Sequence, residues 1–209
     1  GVQSQGVGTS LKHFTANNVE TMRMFNNSNV DTRTLHELYL TPFEIAVKKS
    51  QPWTVMACYN RVQGEYGTQS EFLLTDILKK DWGFKGIVVS DWFAVIDRVA
   101  AMKAGMHLEM PNVSPVNNAI AVEAIKNGEL DIAVVDALVK EILTVVFKAK
   151  SLQKEDVELN VEKDHAFARK VASEAATLLK NDNDVLPISK DKYKKVAIIG
   201  EFAAAPRYQ

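Results

Sequence analysis

The stretch Gly86-Ile87-Val88-Val89-Ser90-Asp91-Trp92 decides how this chain reads: a β-branched apolar run stops at an acid followed by an aromatic residue. Three such residues in succession, with no polar alternation, fit a strand covered on both faces, as in parallel sheets packed between helices. Asp91 then falls at the strand's C-terminal edge, where parallel α/β folds gather their functional groups. Ser90-Asp91 also has the composition of a helix N-cap. The segment alone leaves both readings open, and its neighbours must separate them.

Three other apolar runs end in polar or special residues. Residues 7–11 lead into Lys12-His13-Phe14, residues 53–58 into Tyr59-Asn60, and residues 106–108 into Glu109-Met110-Pro111. Helix-like segments lie between them. Residues 34–49 carry Leu35, Leu38, Phe43, Ala46 and Val47 at near-helical spacing, with Pro42 predicting a break or restart; Ser70 caps 71–80; and 94–103 forms a third helix. This alternation predicts parallel βα units with four polar strand endings on one rim. Beyond Pro111 the pattern turns helical, over 115–127 ending at Gly128, over 131–150 with Ile132, Val135, Leu138, Ile142 and Val145 along one side, and over 164–180 after a polar stretch. Asn181-Asp182-Asn183-Asp184 reads as a turn, and Val196-Ala197-Ile198-Ile199, within residues 195–200, as a lone strand. A complete (β/α)8 barrel takes about 250 residues, and one strand makes no sheet. The expected class is therefore α/β: a partial (β/α)8 TIM-type barrel with flanking helices in 1–150, a helical linker region in 151–194, and the opening strand of another α/β unit in 195–209, together an excerpt from a longer protein.

With 46% hydrophobic and 24% charged residues, the 209-residue chain has the composition of a soluble globular protein. The formal net charge is −1, and lysines and arginines are scattered among acids. That distribution shows neither a nucleic-acid footprint nor a polybasic membrane patch, and favours small neutral partners. No apolar run is long enough to span a bilayer, and residue 1 does not open a signal-peptide pattern. Cys58 is the only cysteine, which excludes an internal disulfide and a cysteine-based zinc cluster; within its apolar run it reads as a small core residue. Neither a cofactor nor a metal is expected.

Each polar strand ending has a functional and a structural reading. Lys12 and His13 are either a solvated pair or, directly after a strand, rim groups. Arg23 with Glu20 is an exposed ion pair of little worth, or a planar fork of donors for substrate oxygens. Tyr59 covers the sheet end or orients the reacting carboxylate, and Trp92 is core or a platform for a sugar's C–H face. Glu109 is a second acid or, the preferred reading, a buried structural partner, and His36 and His165 read as surface residues. Together, a carboxylate with lysine, histidine, arginine, tyrosine and tryptophan on one rim suits a polyhydroxylated substrate, the carboxylate attacking or stabilising an oxocarbenium-like centre. A lysine at a strand end also admits a Schiff-base role for Lys12, as in a class I aldolase.

The motifs occur in a recognisable order: Lys12-His13-Phe14 with Asn17-Asn18, Glu20 and Arg23; Tyr39 with Pro42-Phe43-Glu44; Met56 with Tyr59-Asn60 and Gly64; Leu74-Thr75 and Trp82-Gly83-Phe84; Gly86 to Trp92; Ala104-Gly105 with Glu109-Met110-Pro111. In this order they resemble the β-glucosidases of glycoside hydrolase family 3. Leu178-Leu179-Lys180-Asn181-Asp182, Leu186-Pro187 and Arg207-Tyr208-Gln209 look like that family's passage into its second, α/β-sandwich domain, whose first strand is then expected in 195–209. The resemblance implies a retaining double displacement that releases terminal non-reducing β-D-glucose from β-glucosides or cello-oligosaccharides. By position Asp91 matches the nucleophile and Trp92 the wall of the −1 subsite, while Lys12, His13, Arg23, Met56 and Tyr59 match sugar-contacting residues. Retaining chemistry needs a second carboxyl about 5–5.5 Å from the first. In these enzymes it comes from the second domain, beyond residue 209, so the chain is expected to hold the nucleophile half of a site and to be inactive alone. A piece that contributes only sugar-binding surface, and a xylosidase-type or N-acetylglucosaminidase-type member of the family, are the alternatives.

The sequence departs from the family pattern at His107, where an aspartate is common. Thr15-Ala16-Asn17-Asn18 replaces the Pro-Gly-His-Gly-Asp loop of the N-acetylglucosaminidases, which disfavours that activity, and Trp92 in place of a cysteine favours glucosides over xylosides. Neighbouring residues of a regular strand point to opposite faces, yet the resemblance brings both Lys12 and His13 to the sugar. The backbone is expected to leave strand geometry there, through a cis Lys12–His13 peptide.

Overall fold

In the computed structural model, which describes residues 1–111, 115–154 and 157–207, the strands in chain order are β1 (Ser10–Phe14), β2 (Asn27–Ser28), β3 (Thr54–Ala57), β4 (Arg61–Val62), β5 (Glu65–Tyr66) and β6 (Ile87–Val89). The apolar runs make a parallel sheet in the order β1-β3-β6, with Val55 paired to Leu11 on one side and to Val88 on the other. The first strand begins later than expected, at Ser10, because Thr9 is tied by its hydroxyl to Gln3 (2.8 Å) and Gly8 lies against the Trp53 ring. The fourth run forms no strand; it contributes a single parallel bridge, Val89 to Leu108. A second small sheet, unforeseen in the sequence, joins β2 parallel to β4 and β4 antiparallel to β5. Its hairpin turns on Gln63 and Gly64, both at positive φ (53° and 96°), as a two-residue turn matched to strand twist requires.

Helix α1 (Thr32–Thr34), capped by the Asp31 carboxylate on the Thr34 N–H at 3.0 Å, runs through a π-type turn at Leu35–Leu40 into α2 (Thr41–Ser50). Of the break or restart expected at Pro42, the structure shows a restart, with α2 beginning at Thr41. Proline sits in the first turn of α2, and the wider i→i+5 spacing before it absorbs the missing N–H. A second π-type helix, Phe72–Asp81, is opened as expected by Ser70, whose hydroxyl accepts from the Leu73 N–H. Helix α3 (Arg98–Ala104) starts at its Asp97 cap, not at Ala94, because Phe93 (φ 63°) and Ala94 turn back on Asp91 and Met110. Helices α4 (Pro115–Lys126) and α5 (Ile132–Leu152) follow; Val135, Leu138, Ile142 and Val145 face inward on α5, whereas Ile132, in its first turn, is exposed.

The chain separates into two compact units, Gly1–Glu155 and Asp156–Gln209. The second holds α6 (Val161–Ala175), capped by Asn160, and the short α7 (Glu201–Ala204). The strand expected over 195–200 is not formed: Val196, Ile198 and Ile199 are exposed, and a strand is stable only against a ladder partner. Tyr208 and Gln209, which end the second-domain motif, lie outside the described residues. In the first unit the core lies between sheet and helices, with Phe14, Leu35, Leu40, Val47, Val55, Leu74, Leu78 and Val88 fully enclosed. On β3 the buried Val55 and Ala57 face this core, leaving Thr54 and Met56 on the opposite, half-buried side.

Candidate active site

The ends of β1, β3 and β6 bring their polar residues together. His13 Nε2 lies 3.2 Å from Asp91 Oδ2, and Asp91 Oδ1 accepts the Trp92 N–H at 2.7 Å, so both carboxylate oxygens are held. Asp91 is positioned from behind by Ser90, which is fully buried: its N–H donates to Leu108 O at 2.9 Å and its hydroxyl accepts from Met110 N at 2.8 Å. Phe93 N–H donates to Met110 O at 3.0 Å on the other side. The Asp91 side chain is 15% exposed, enough to be reached from solvent. The cap reading of Ser90-Asp91 is excluded, since α3 is capped by Asp97.

Tyr59, just past β3, has its phenol beside the Asp91 carboxylate. Burial, and next the neighbouring carboxylate, raise the phenol pKa above its ordinary value, keeping it protonated. The Arg23 guanidinium stacks 4.6 Å from the Tyr59 ring centroid and pairs with Glu20 at 3.0 Å, which raises its pKa further. The Lys12–His13 peptide is cis, as expected, and the β1 register shifts between Leu11 and Phe14. Lys12 is exposed and has no ion-pair partner among the described residues. Met56 is half-buried on β3, in register with Val89, and Trp92 presents a half-exposed indole. The structure thus pairs His13 with Asp91, stacks Arg23 on Tyr59 beside them, and sets Lys12, Met56 and Trp92 near this group.

The remaining candidates fall outside this group. Glu109 is bonded by Arg98 Nε at 2.5 Å, both side chains being largely enclosed, and is structural. Cys58 is a core residue whose thiol burial pushes up to about 12. His36 and His165 are exposed on helices. Among the described residues no group of three or more His, Cys, Asp and Glu is arranged to hold a metal, and no helix is long and apolar enough to cross a membrane.

One polar cluster escaped the sequence reading. His107 is enclosed behind β6: its Nδ1 accepts the Val88 N–H at 3.0 Å and its Nε2 lies 2.7 Å from Glu141 of α5. Lys79 bonds both Glu141 and Gly86 O. The available signal was Glu141 itself, a carboxylate on the inward face of α5 between Leu138 and Ile142.

A family model described as the glycosyl hydrolase family 3 N-terminal domain matches residues 1–145. This chain belongs to glycosyl hydrolase family 3. Among curated proteins the family 3 chain is 47% identical, over its whole length, to thermostable β-glucosidase B of Acetivibrio thermocellus, and 42% identical to an exo-α-(1→6)-L-arabinopyranosidase of Bifidobacterium breve. It spans 27% and 28% of those proteins. Among solved structures it matches a family 3 β-glucosidase of Bifidobacterium adolescentis with TM-score 0.87 and 45% identity, covering all of this chain and 30% of that one. β-Glucosidase 3B of Thermotoga neapolitana in complex with α-D-glucose matches with TM-score 0.82 and 41% identity, over 90% of this chain and 27% of that one.

Proposed function

We propose that this chain carries the nucleophile half of a retaining β-glucosidase, with Asp91 as nucleophile. The observation that carries the reading is the Asp91 carboxylate at the end of β6, reachable from solvent, with one oxygen on the Trp92 N–H and the other beside His13. A carboxylate held by several donors is aimed. In the first step Asp91 attacks the anomeric carbon of a terminal glucose while the glycosidic C–O bond breaks and the leaving oxygen takes a proton from a carboxylic acid outside residues 1–209. In the second, water attacks the same carbon as that group, now a base, takes its proton; the Asp91 ester opens and glucose leaves with retained configuration. Tyr59 fixes the attacking oxygen. Arg23, Lys12 and His13 supply donors for ring hydroxyls, and the Trp92 indole and Met56 offer apolar surface to the sugar's C–H face. Residues 1–150 are read as part of a barrel domain, 151–194 as a linker, and 195–209 as the start of the second domain.

The test uses the enzyme that contains this chain with the rest of its natural reading frame. An aryl 2-deoxy-2-fluoro-β-glucoside is expected to trap a covalent adduct on Asp91, located by peptide mass spectrometry. Asp91→Asn is expected to abolish trapping and lower kcat by about a thousandfold or more. Turnover with an adduct on another residue overturns the assignment. The relatives named arabinopyranosidases support a second reading of the substrate, so an aryl α-L-arabinopyranoside belongs beside the β-D-glucoside and β-D-xyloside, and the highest kcat/KM decides among them.

A further inference from the structure

In a parallel ladder, alternate residues of a strand bond to opposite neighbours. Ile87 N–H goes to Trp53 O on the β3 side (3.1 Å), so Val88 faces the other way, towards residues 106–108. There Val88 O accepts from both His107 N (2.9 Å) and Leu108 N (3.2 Å), but the Val88 N–H finds no carbonyl. Its acceptor is the His107 imidazole Nδ1, at 3.0 Å. A side chain has taken the place of a backbone carbonyl, and accordingly the fourth run makes one bridge and not a strand.

That imidazole is fixed from behind. With Nδ1 accepting, the proton sits on Nε2 and is donated to Glu141 of α5 at 2.7 Å. Glu141 is bonded in turn by Lys79, from the helix preceding β6, and Lys79 also donates to Gly86 O at 2.8 Å, just before the strand. The His107 side chain is 1% exposed, so it reaches no substrate. Two helices therefore hold the edge of β6 that faces away from β3, ahead of Ser90-Asp91.

We propose that His107, through the Val88 N–H, is a positioning residue that sets where β6 ends and so where Asp91 stands, with Glu141 and Lys79 holding its ring. This rests on the reading of Asp91 as nucleophile. A nucleophile displaced by about 1 Å loses on the order of a hundredfold in rate, whereas sugar binding through Arg23 and Lys12 does not pass through β6.

The two ring nitrogens allow a discriminating pair of variants in the enzyme with its complete reading frame. Asn places Oδ1 where Nδ1 was and keeps the acceptor for Val88; Gln reaches Glu141 with its amide but offers Val88 nothing. His107→Gln and His107→Leu are expected to lower the rate of Asp91 trapping by the 2-fluoroglucoside about 10- to 100-fold with glucose inhibition unchanged within about threefold, and His107→Asn to restore the rate to within about threefold of wild type. Hydrogen exchange of the peptide covering β6 is expected to accelerate in His107→Gln and not in His107→Asn. Equal trapping rates and equal exchange in the Asn and Gln variants overturn the proposal, as does a His107→Leu enzyme that traps at the wild-type rate. If His107→Leu does not fold, the Asn–Gln comparison still decides. Absence of an Asp91 adduct in the wild-type enzyme sinks the nucleophile reading instead, and the exchange comparison then judges His107 without it.

Discussion

Tyr59 makes the clearest claim at the scale of single residues. Its phenol lies beside the Asp91 carboxylate while its ring carries the Arg23 guanidinium, so Tyr59→Phe removes a donor for the nucleophile and leaves the stacking surface in place. A hydrogen bond to a charged group is worth roughly 1.5–3 kcal/mol, which corresponds to about 10- to 100-fold in rate. The expected result is a fall in kcat of that size with the melting temperature nearly unchanged, read by steady-state kinetics and thermal denaturation of the same sample. That Asp91, His13 and Tyr59 come together at the strand ends was legible because each follows an apolar run within a few residues; Arg23 follows no such run, and only the resemblance pointed to it. His107 stood out only as a departure from the family pattern, and Glu141 not at all. One stands inside its run and the other inside a helix, 34 positions apart, and only their meeting gives either a meaning.

At the scale of elements, β6 depends on close approach at its start and on a buried polar network along its edge. A Cβ added at Gly86 would lie 2.3 Å from Trp53 O and 2.8 Å from Pro52 O, backbone atoms that cannot swing aside. Gly86→Ala is expected to push β6 off β3 and to cost about 1–3 kcal/mol of stability, measured by denaturant unfolding. The network adds a pH dependence. Burial, and next the Lys79 charge, outweigh Glu141 and hold His107 down to about 4, against 6.5 when unfolded. Above 6.5 the ring is neutral in both states and its contribution is complete. As pH falls from 6.5 towards 4, the unfolded chain takes up a proton the folded one refuses, and up to about 3 kcal/mol is lost. Burial raises the Glu141 carboxyl, but Lys79 and His107 together pull it below its ordinary value, so it too weakens the fold in acid. The melting temperature is expected to be flat above pH 7 and to fall between pH 6.5 and 4.5, with a shallower slope in His107→Asn; an equal slope in the variant places the titration elsewhere. The helices at 32–50 and 71–81 were read correctly as helices, yet their π-type turns were not, because a one-residue change of hydrogen-bond spacing leaves the apolar pattern nearly intact.

For the whole molecule, the half-site reading predicts that the 209-residue chain alone releases no glucose from an aryl β-glucoside, while the same chain followed by the rest of its reading frame does; hydrolysis by the short chain, lost in Asp91→Asn, would show the acid to be already present. The α/β class, the parallel order of the apolar runs and family membership were legible in the sequence, because each rests on local periodicity or on motifs a few residues long. The run at 195–200 shows the limit of that reading: its apolar residues are strand-like, but strand formation belongs to a pair of segments and not to one. So too with the site. The sequence by itself determined which chemical groups end the strands and how the strands alternate with helices, since side-chain identity and periodicity are properties of short segments. Only the tertiary structure decided that His13 faces Asp91, that Tyr59 reaches the same carboxylate, and that Lys79 and Glu141, 62 positions apart, close on His107 behind it. Hydrogen bonds act over about 3 Å, and nothing in a linear order of residues states which distant groups will be brought within that reach.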